Sequence, residues 1–233
     1  MTATSTSARI ARLLAPLVGM LALLVACSDP QPPTLPLYRA LQLGDLDQVK
    51  RHLAQGSDIN SPDGAGDYPL HVAARNAQVA IVRLLLEHGA RADVLDARGR
   101  TALQVALAGG RTELAQVLFA ADASESPQAL LFALVREGSA DRDALAWLRR
   151  HGADLNALDD QGLAPLHRAV EARQVALAKR LILAGADVNL PGGDGQTPLA
   201  LARRIGDADL LRLLRQYGAT APGPGAAAGA GRP

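Results

Sequence analysis

Gly56, Gly89, Gly152, Gly185 and Gly218 beat out a period of about 33 residues along a chain of 233. Self-similarity at that interval is the mark of a stack of small units, each touching only its neighbours. The leucines keep the same time. Leu37, Leu70 and Leu103 are 33 apart, as are Leu166 and Leu199, while the 63-residue step from Leu103 to Leu166 conceals one irregular unit. Six units therefore lie between Leu35 and Ala219.

A regular unit reads Tyr68-Pro69-Leu70-His71-Val72-Ala73-Ala74, then Ile81-Val82-Arg83-Leu84-Leu85-Leu86-Glu87-His88-Gly89-Ala90. This pattern predicts two short helices joined by a turn and closed by glycine. Thr101 and Thr197 stand where a hydroxyl can cap a helix start, and Pro198 occupies the first helical position, where its missing donor costs nothing. The leucine run of the second helix supplies an apolar stripe, and the glycine after it can take the left-handed cap conformation. Segments 93–101, 156–164 and 189–197 are rich in Asp, Asn and Gly, as turns require.

The irregular fourth unit has one shortened connection, 9 positions from Asp122 to Leu131 where Gly89 to Leu103 spans 14. Another is lengthened, with 14 positions from Gly138 to Gly152 where other units use 12. Ser126 and Pro127 can start its first helix, and Leu130, Leu131, Phe132 and Trp147 are expected to fill its core. The mismatch predicts a weak seam near Asp122–Ser126.

This text resembles the ankyrin repeat family over about 185 residues. The family's Thr-Pro-Leu-His opening appears in fragments as Tyr68-Pro69-Leu70-His71, Thr101-Ala102-Leu103-Gln104, Ala164-Pro165-Leu166-His167 and Thr197-Pro198-Leu199-Ala200. Its Gly-Ala-Asp-Val-Asn close appears as Gly56-Ser57-Asp58-Ile59-Asn60, Gly152-Ala153-Asp154-Leu155-Asn156 and Gly185-Ala186-Asp187-Val188-Asn189. The resemblance implies an all-α solenoid of stacked ankyrin repeats, helix-turn-helix units joined by hairpin-like turns. It also implies a protein partner, held along a groove of turn tips and first-helix faces. Carried onto this sequence, the groove positions are Asp67, Arg75 and Asn76 in the second unit and Arg98 and Arg100 in the third. The fifth supplies Asp160, Gln161 and Glu171, and the sixth Asp194, Gln196 and Arg204. Charge reversal at Arg75, Arg98 and Arg100 is expected to leave the fold intact.

The N-terminus carries a second signal. Arg9 and Arg12 precede an apolar run from Leu13 to Ala26, the proportion of a secretory signal and short for a spanning helix. It ends in Leu24-Val25-Ala26-Cys27, which resembles the lipobox of bacterial lipoproteins. The resemblance implies removal of residues 1–26 and acylation of Cys27, the only cysteine in the chain. Several acyl chains on one residue suffice for stable anchoring, at about 0.8 kcal/mol per buried methylene. By resemblance to the sorting rules of Gram-negative lipoproteins, Ser28 after the cysteine favours the outer membrane, facing the periplasm. Residues 27–34 read as the lipid site and a proline-rich spacer, 35–219 as the repeat domain and 220–233 as an unfolded Ala/Gly/Pro tail.

Nothing in the pattern assembles catalytic chemistry. His52, His71, His88, His151 and His167 fall in no metal-binding spacing, so neither a metal nor a cofactor is expected. His71 and His167 are expected to hydrogen-bond within the turn, and His88 and His151 to cap helix ends. Asp63, Asp96 and Asp159 recur at one repeat position, which argues for turn formation over paired acid/base work. Without Arg9 and Arg12 the chain has 22 basic and 23 acidic residues, giving no argument for nucleic acid or an anionic surface. The reading is a non-enzymatic, monomeric, lipid-anchored interaction protein of the bacterial envelope, acting as scaffold or protective factor. An immunity protein against a periplasm-delivered toxin is the alternative, and an enzyme the remotest one.

Overall fold

The computed structural model describes residues 31–122 and 124–220. The predicted signal segment, Cys27, the start of the spacer and the tail from residue 221 lie outside the described residues.

Six helix pairs follow one another: α1 Leu37–Leu43 with α2 Leu46–Ala54, α3 Pro69–Arg75 with α4 Val79–Glu87, and α5 Ala102–Ala108 with α6 Thr112–Ala121. Then come α7 Pro127–Glu137 with α8 Arg142–Arg150, α9 Pro165–Glu171 with α10 Val175–Ala184, and α11 Pro198–Ile205 with α12 Ala208–Gln216. The starts are those expected. Thr101, Ser126 and Thr197 accept from the backbone N–H three residues on, and proline stands at the first turn of α3, α7, α9 and α11.

Odd-numbered helices pack on one another along the inner layer and even-numbered helices along the outer layer. Leu85, Leu118, Leu148, Leu181 and Leu214, one per outer helix from α4 to α12, are all buried. Each contributes roughly 2 kcal/mol by leaving water. They join a single apolar cluster running from Ala40 to Leu214. The ends of the stack extend slightly past the expected limits. Thr34 exchanges hydrogen bonds with the Gln48 side chain, and Thr220 donates its backbone N–H to Asn189 Oδ1. Spacer and tail thus each give up one residue to the terminal repeats.

Between the two helices of each pair the chain turns through a left-handed residue, Gly44, Ala77, Gly110, Gly138, Arg173 and Gly206 in turn. Glycine takes this conformation without a Cβ penalty. Ala77 and Arg173 adopt it at φ 56° and 55°.

The fourth repeat departs from its neighbours in a specific way. Counted back from Gly138, its framework leucine is Leu131, and Pro127-Gln128-Ala129 add a further helical turn where other repeats have a hairpin. That turn is fastened forward, Gln128 Nε2 donating to Asp154 O while Asp154 N–H donates to Gln128 Oε1. Phe132 does not enter the core as expected. It is half-buried and faces the inner groove, and Phe119 takes the aromatic role instead. Phe119 meets Trp147 edge-on at 5.4 Å, and Trp147 stacks on His151 at 3.8 Å. This cluster bridges repeats three and four, whose remaining contact is sparser than at the other repeat boundaries.

A sparse boundary lowers cooperativity where units couple only to neighbours. Native-state hydrogen exchange is expected to show repeats one to three and four to six as two blocks opening at different free energies, with weak protection across residues 122–126. Uniform protection through that segment would contradict the division.

Candidate binding groove

Four hairpin fingers project from the inner layer, and one carboxylate organises three of them. Asp63, Asp96 and Asp159 each accept, through Oδ1, the backbone N–H groups two and four residues on. Each finger closes with a backbone bond between the same two ends, Asp63 N–H to Asp67 O, Asp96 N–H to Arg100 O and Asp159 N–H to Leu163 O. The fourth finger substitutes Gly192, whose N–H donates to Gln196 O. The recurring aspartates are thus turn formers, as their spacing predicts.

One position on the inner helices pins the next finger. Tyr38 Oη donates to Asp67 O at 3.0 Å, His71 Nε2 lies 2.8 Å from Arg100 O, and His167 Nε2 lies 3.0 Å from Gln196 O. The histidines therefore bond across to the following finger rather than within their own turn. A carbonyl partner places the proton on Nε2, and Nδ1 of both rings is buried without a hydrogen-bond partner. In the third repeat Gln104 holds this position and reaches only the Glu125 side chain, because no finger follows. In the fourth it is Phe132, which has nothing to donate.

Arginines then lock the fingers. Arg75 forms a two-pronged pair with Asp67 at 2.7 and 2.8 Å. Arg100 donates from both Nε and Nη2 to Oδ2 of Asp96, with side-chain exposures of 13% and 1%. Arg168 donates to Asp159, Gln161 and Glu171 together. The Arg75 guanidinium holds the Asp67 carboxyl below the usual carboxylate range. Burial alone would raise Asp96, but the bonds from Arg100 and from the finger backbone outweigh it and hold that carboxyl low as well.

The missing finger interrupts the row and leaves two hollows on the concave side. The first, about 510 Å³, lies between the second and third repeats and is lined by Asp67, Arg75, Arg98, Arg100 and Arg111. The second, about 410 Å³, gathers Phe132, Arg136, Asp159, Gln161, Arg168 and Glu171. Pairing Arg75 with Asp67 and Arg100 with Asp96 leaves Arg98 and Arg111 as surplus charge in the first hollow. In the second, Arg168 holds both Asp159 and Glu171, so Arg136 is left without an ion pair and balances the charge of the lining. Arg111 lies across Gly109, where a Cβ would sit 1.7 Å from its Nη1, so the glycine makes room for the guanidinium.

Of the residues expected to line the groove, Asp67, Arg75, Arg98 and Arg100 come together in the first hollow and Gln161 and Glu171 in the second. Asn76 caps α3, Asp160 and Asp194 sit exposed at finger tips, Gln196 supplies its carbonyl to His167, and Arg204 is exposed on α11. Arg75 and Arg100 are finger locks rather than free contacts, which corrects the expectation that their reversal spares the fold. Phe132, Arg136 and Arg111 were missed because their exposure follows from the absent finger, which spacing alone does not orient. The unusual Phe at a His, Tyr or Gln position was the available signal.

Among the described residues, no group of His, Cys, Asp and Glu is placed to hold a metal ion, and no helix is long and apolar enough to cross a membrane. Stacked helix pairs presenting a concave row of fingers define a repeat protein that offers an extended surface to a partner. A family profile described as ankyrin repeats in three copies matches residues 37–129 and 130–222, and the chain belongs to the ankyrin repeat family. It is 34% identical over 208 residues to human ankyrin repeat and SOCS box protein 16, covering 83% of this chain and 45% of that protein. It is 32% identical over 191 residues to the chicken nuclear factor NF-kappa-B p105 subunit, covering 78% of this chain and 19% of that protein. The chain spans less than half the length of these relatives. Among solved structures, the ankyrin repeat domain of Bcl-3 superposes with a TM-score of 0.60 at 26% identity, covering 82% of this chain and 89% of that one. The human ASB11 ankyrin repeat domain gives 0.57 at 28% identity, covering 80% and 85%.

Two measurements probe the groove. Burial, partly offset by the carbonyl bond, pushes His71 and His167 below the ordinary histidine value of 6.5. The unfolded chain takes up these protons first as pH falls, so their contribution is complete above that value and lost below it. Thermal stability should drop as pH is lowered from 6.5 toward the folded values, less steeply in His71→Gln, and histidine NMR titration should place both rings below the ordinary value. Arg98→Glu should change stability by no more than about 0.5 kcal/mol, as exposed substitutions do. Arg100→Glu should cost about 3 kcal/mol by leaving buried Asp96 unpaired. Denaturant titration of the two variants separates them.

Proposed function

We propose that this chain is a lipid-anchored protein facing the periplasm of a bacterial envelope, whose concave groove holds another protein. Membership of the ankyrin repeat family supports an interaction role. The observation that carries the groove assignment is Phe132, an aromatic side chain left half-exposed beside the unpaired Arg136 by a repeat that has lost its finger. Repeat building has no use for it there. With Arg98 and Arg111 in the neighbouring hollow, the groove suits a partner segment that is acidic and carries an apolar side chain. The anchor rests on Leu24-Val25-Ala26-Cys27 behind its apolar run.

Metabolic labelling with a clickable fatty acid should mark the wild-type protein and not Cys27→Ala, which should also leave the membrane fraction. An unlabelled wild-type protein would sink the anchor. For the groove, a partner captured from detergent-solubilised envelope should be titrated against wild type, Phe132→Ala and Arg98→Glu/Arg136→Glu. Loss of an interface anchor weakens binding by about 2 kcal/mol or more. Variants that keep the wild-type circular dichroism melt and bind as tightly as wild type would move the contact elsewhere.

A further inference from the structure

The near-neutral total charge conceals an uneven distribution on the outer layer. In the first three repeats the outer helices α2, α4 and α6 carry Lys50, Arg51 and Arg83 against Asp47, Glu87 and Glu113, so the charges cancel. The last three differ. Helix α8 carries Arg142, Arg149 and Arg150 against Asp143 alone, and α10 carries Lys179 and Arg180 with no acid. Helix α12 adds Arg212 and Arg215 against Asp209. All of these cations are exposed except Arg180, which is half-buried. Helix α8 packs beside α10, and α10 beside α12, so the three helices form one continuous basic face.

The seam between α8 and α10 is shaped. Arg149 donates to Ala184 O and Arg180 to Ala140 O, which fixes two guanidiniums across it. Between them lies a hollow of about 310 Å³, with Ala146 and Ala184 in its lining and Arg142, Arg149, Arg180 and Leu183 around it. Leu183 is 66% exposed, an unusual posture for a large apolar side chain in a helix whose other leucines are buried.

We propose that this outer face of repeats four to six docks on an anionic phospholipid surface. The arginines and Lys179 meet headgroup phosphates, and Leu183 enters the boundary with the acyl chains. Cations spread over three adjacent helices match a leaflet, which offers phosphate at every lateral position, whereas an acidic protein would need matched positions. Arginine stems lie along apolar surface while their heads stay in water, so a leucine fenced by arginines suits the headgroup depth. The contact needs no acyl chain at Cys27. Where both operate, they supply the two signals that stable peripheral attachment takes.

Residues 31–220 hold the twelve described helices and the apolar cluster that joins them, and lack Cys27, so this segment tests the face separately from the anchor. It should co-sediment with vesicles of equal parts phosphatidylcholine and phosphatidylglycerol, release as salt is raised, and leave pure phosphatidylcholine vesicles unbound. Arg142→Gln, Lys179→Gln and Arg215→Gln remove one cation from each helix without touching a hydrogen bond of the fold. At about fivefold per basic residue near an anionic leaflet, the triple variant should bind about a hundredfold more weakly. Neutralising Lys50, Arg51 and Arg83 should have no such effect, and Leu183→Ser should weaken binding at a salt concentration where wild type is held. Equal binding to both vesicle types, unchanged binding of a folded triple variant, or no binding at all would overturn the proposal. No binding would leave an acidic protein as the occupant to seek.

Discussion

Everything in this molecule depends on burial between neighbours. A single helix pair exposes apolar side chains on both flanks and cannot bury them against itself. Leu85, Leu118, Leu148, Leu181 and Leu214 leave water only because another pair lies alongside. The result is an elongated stack in which stability, curvature and surface all follow from interfaces between repeats.

The inner layer adds a second, polar coupling to that apolar one. Tyr38, His71 and His167 each reach forward to the closing carbonyl of the next finger, so a finger is held by the repeat before it as well as by its own closing bond. Where the third connection is cut short, this chain of contacts breaks. The fourth repeat compensates with an extra helical turn, a forward bond through Gln128 and an aromatic cluster on the outer side. The break releases Phe132 and Arg136 from structural duty and opens the concave surface in the middle of the stack. Irregularity and candidate binding surface are thus the same event.

Charge shows a similar division of labour. On the concave side Arg75, Arg100 and Arg168 are spent on locking fingers, since a carboxylate as buried as Asp96 is costly without a partner. Arg98, Arg111 and Arg136 remain for other use in the two hollows. On the outer layer of the last three repeats few carboxylates compete, and the cations of α8, α10 and α12 are left facing solvent together. A chain whose charges nearly cancel in total therefore presents two faces of different electrostatic character.

The period of 33, the caps at Thr101, Ser126 and Thr197, and the turn-forming aspartates were legible in the sequence because they are local. A hydroxyl three residues from a free N–H, or a carboxylate two and four residues from its donors, needs no tertiary contact to be understood. The six-unit count and the irregular fourth unit followed from register alone, and several groove positions from the family resemblance. What only the tertiary structure decided was where long side chains end. Arg100 and Arg98 are two residues apart on one finger, yet one is locked on Asp96 and the other is free. Phe132 and Leu131 are adjacent, yet one faces the groove and the other the core. The direction of each depends on whether a neighbouring repeat supplies a finger or an apolar flank at that spot. The basic outer face likewise arises from residues tens of positions apart, which the stacking of three helices brings onto one side.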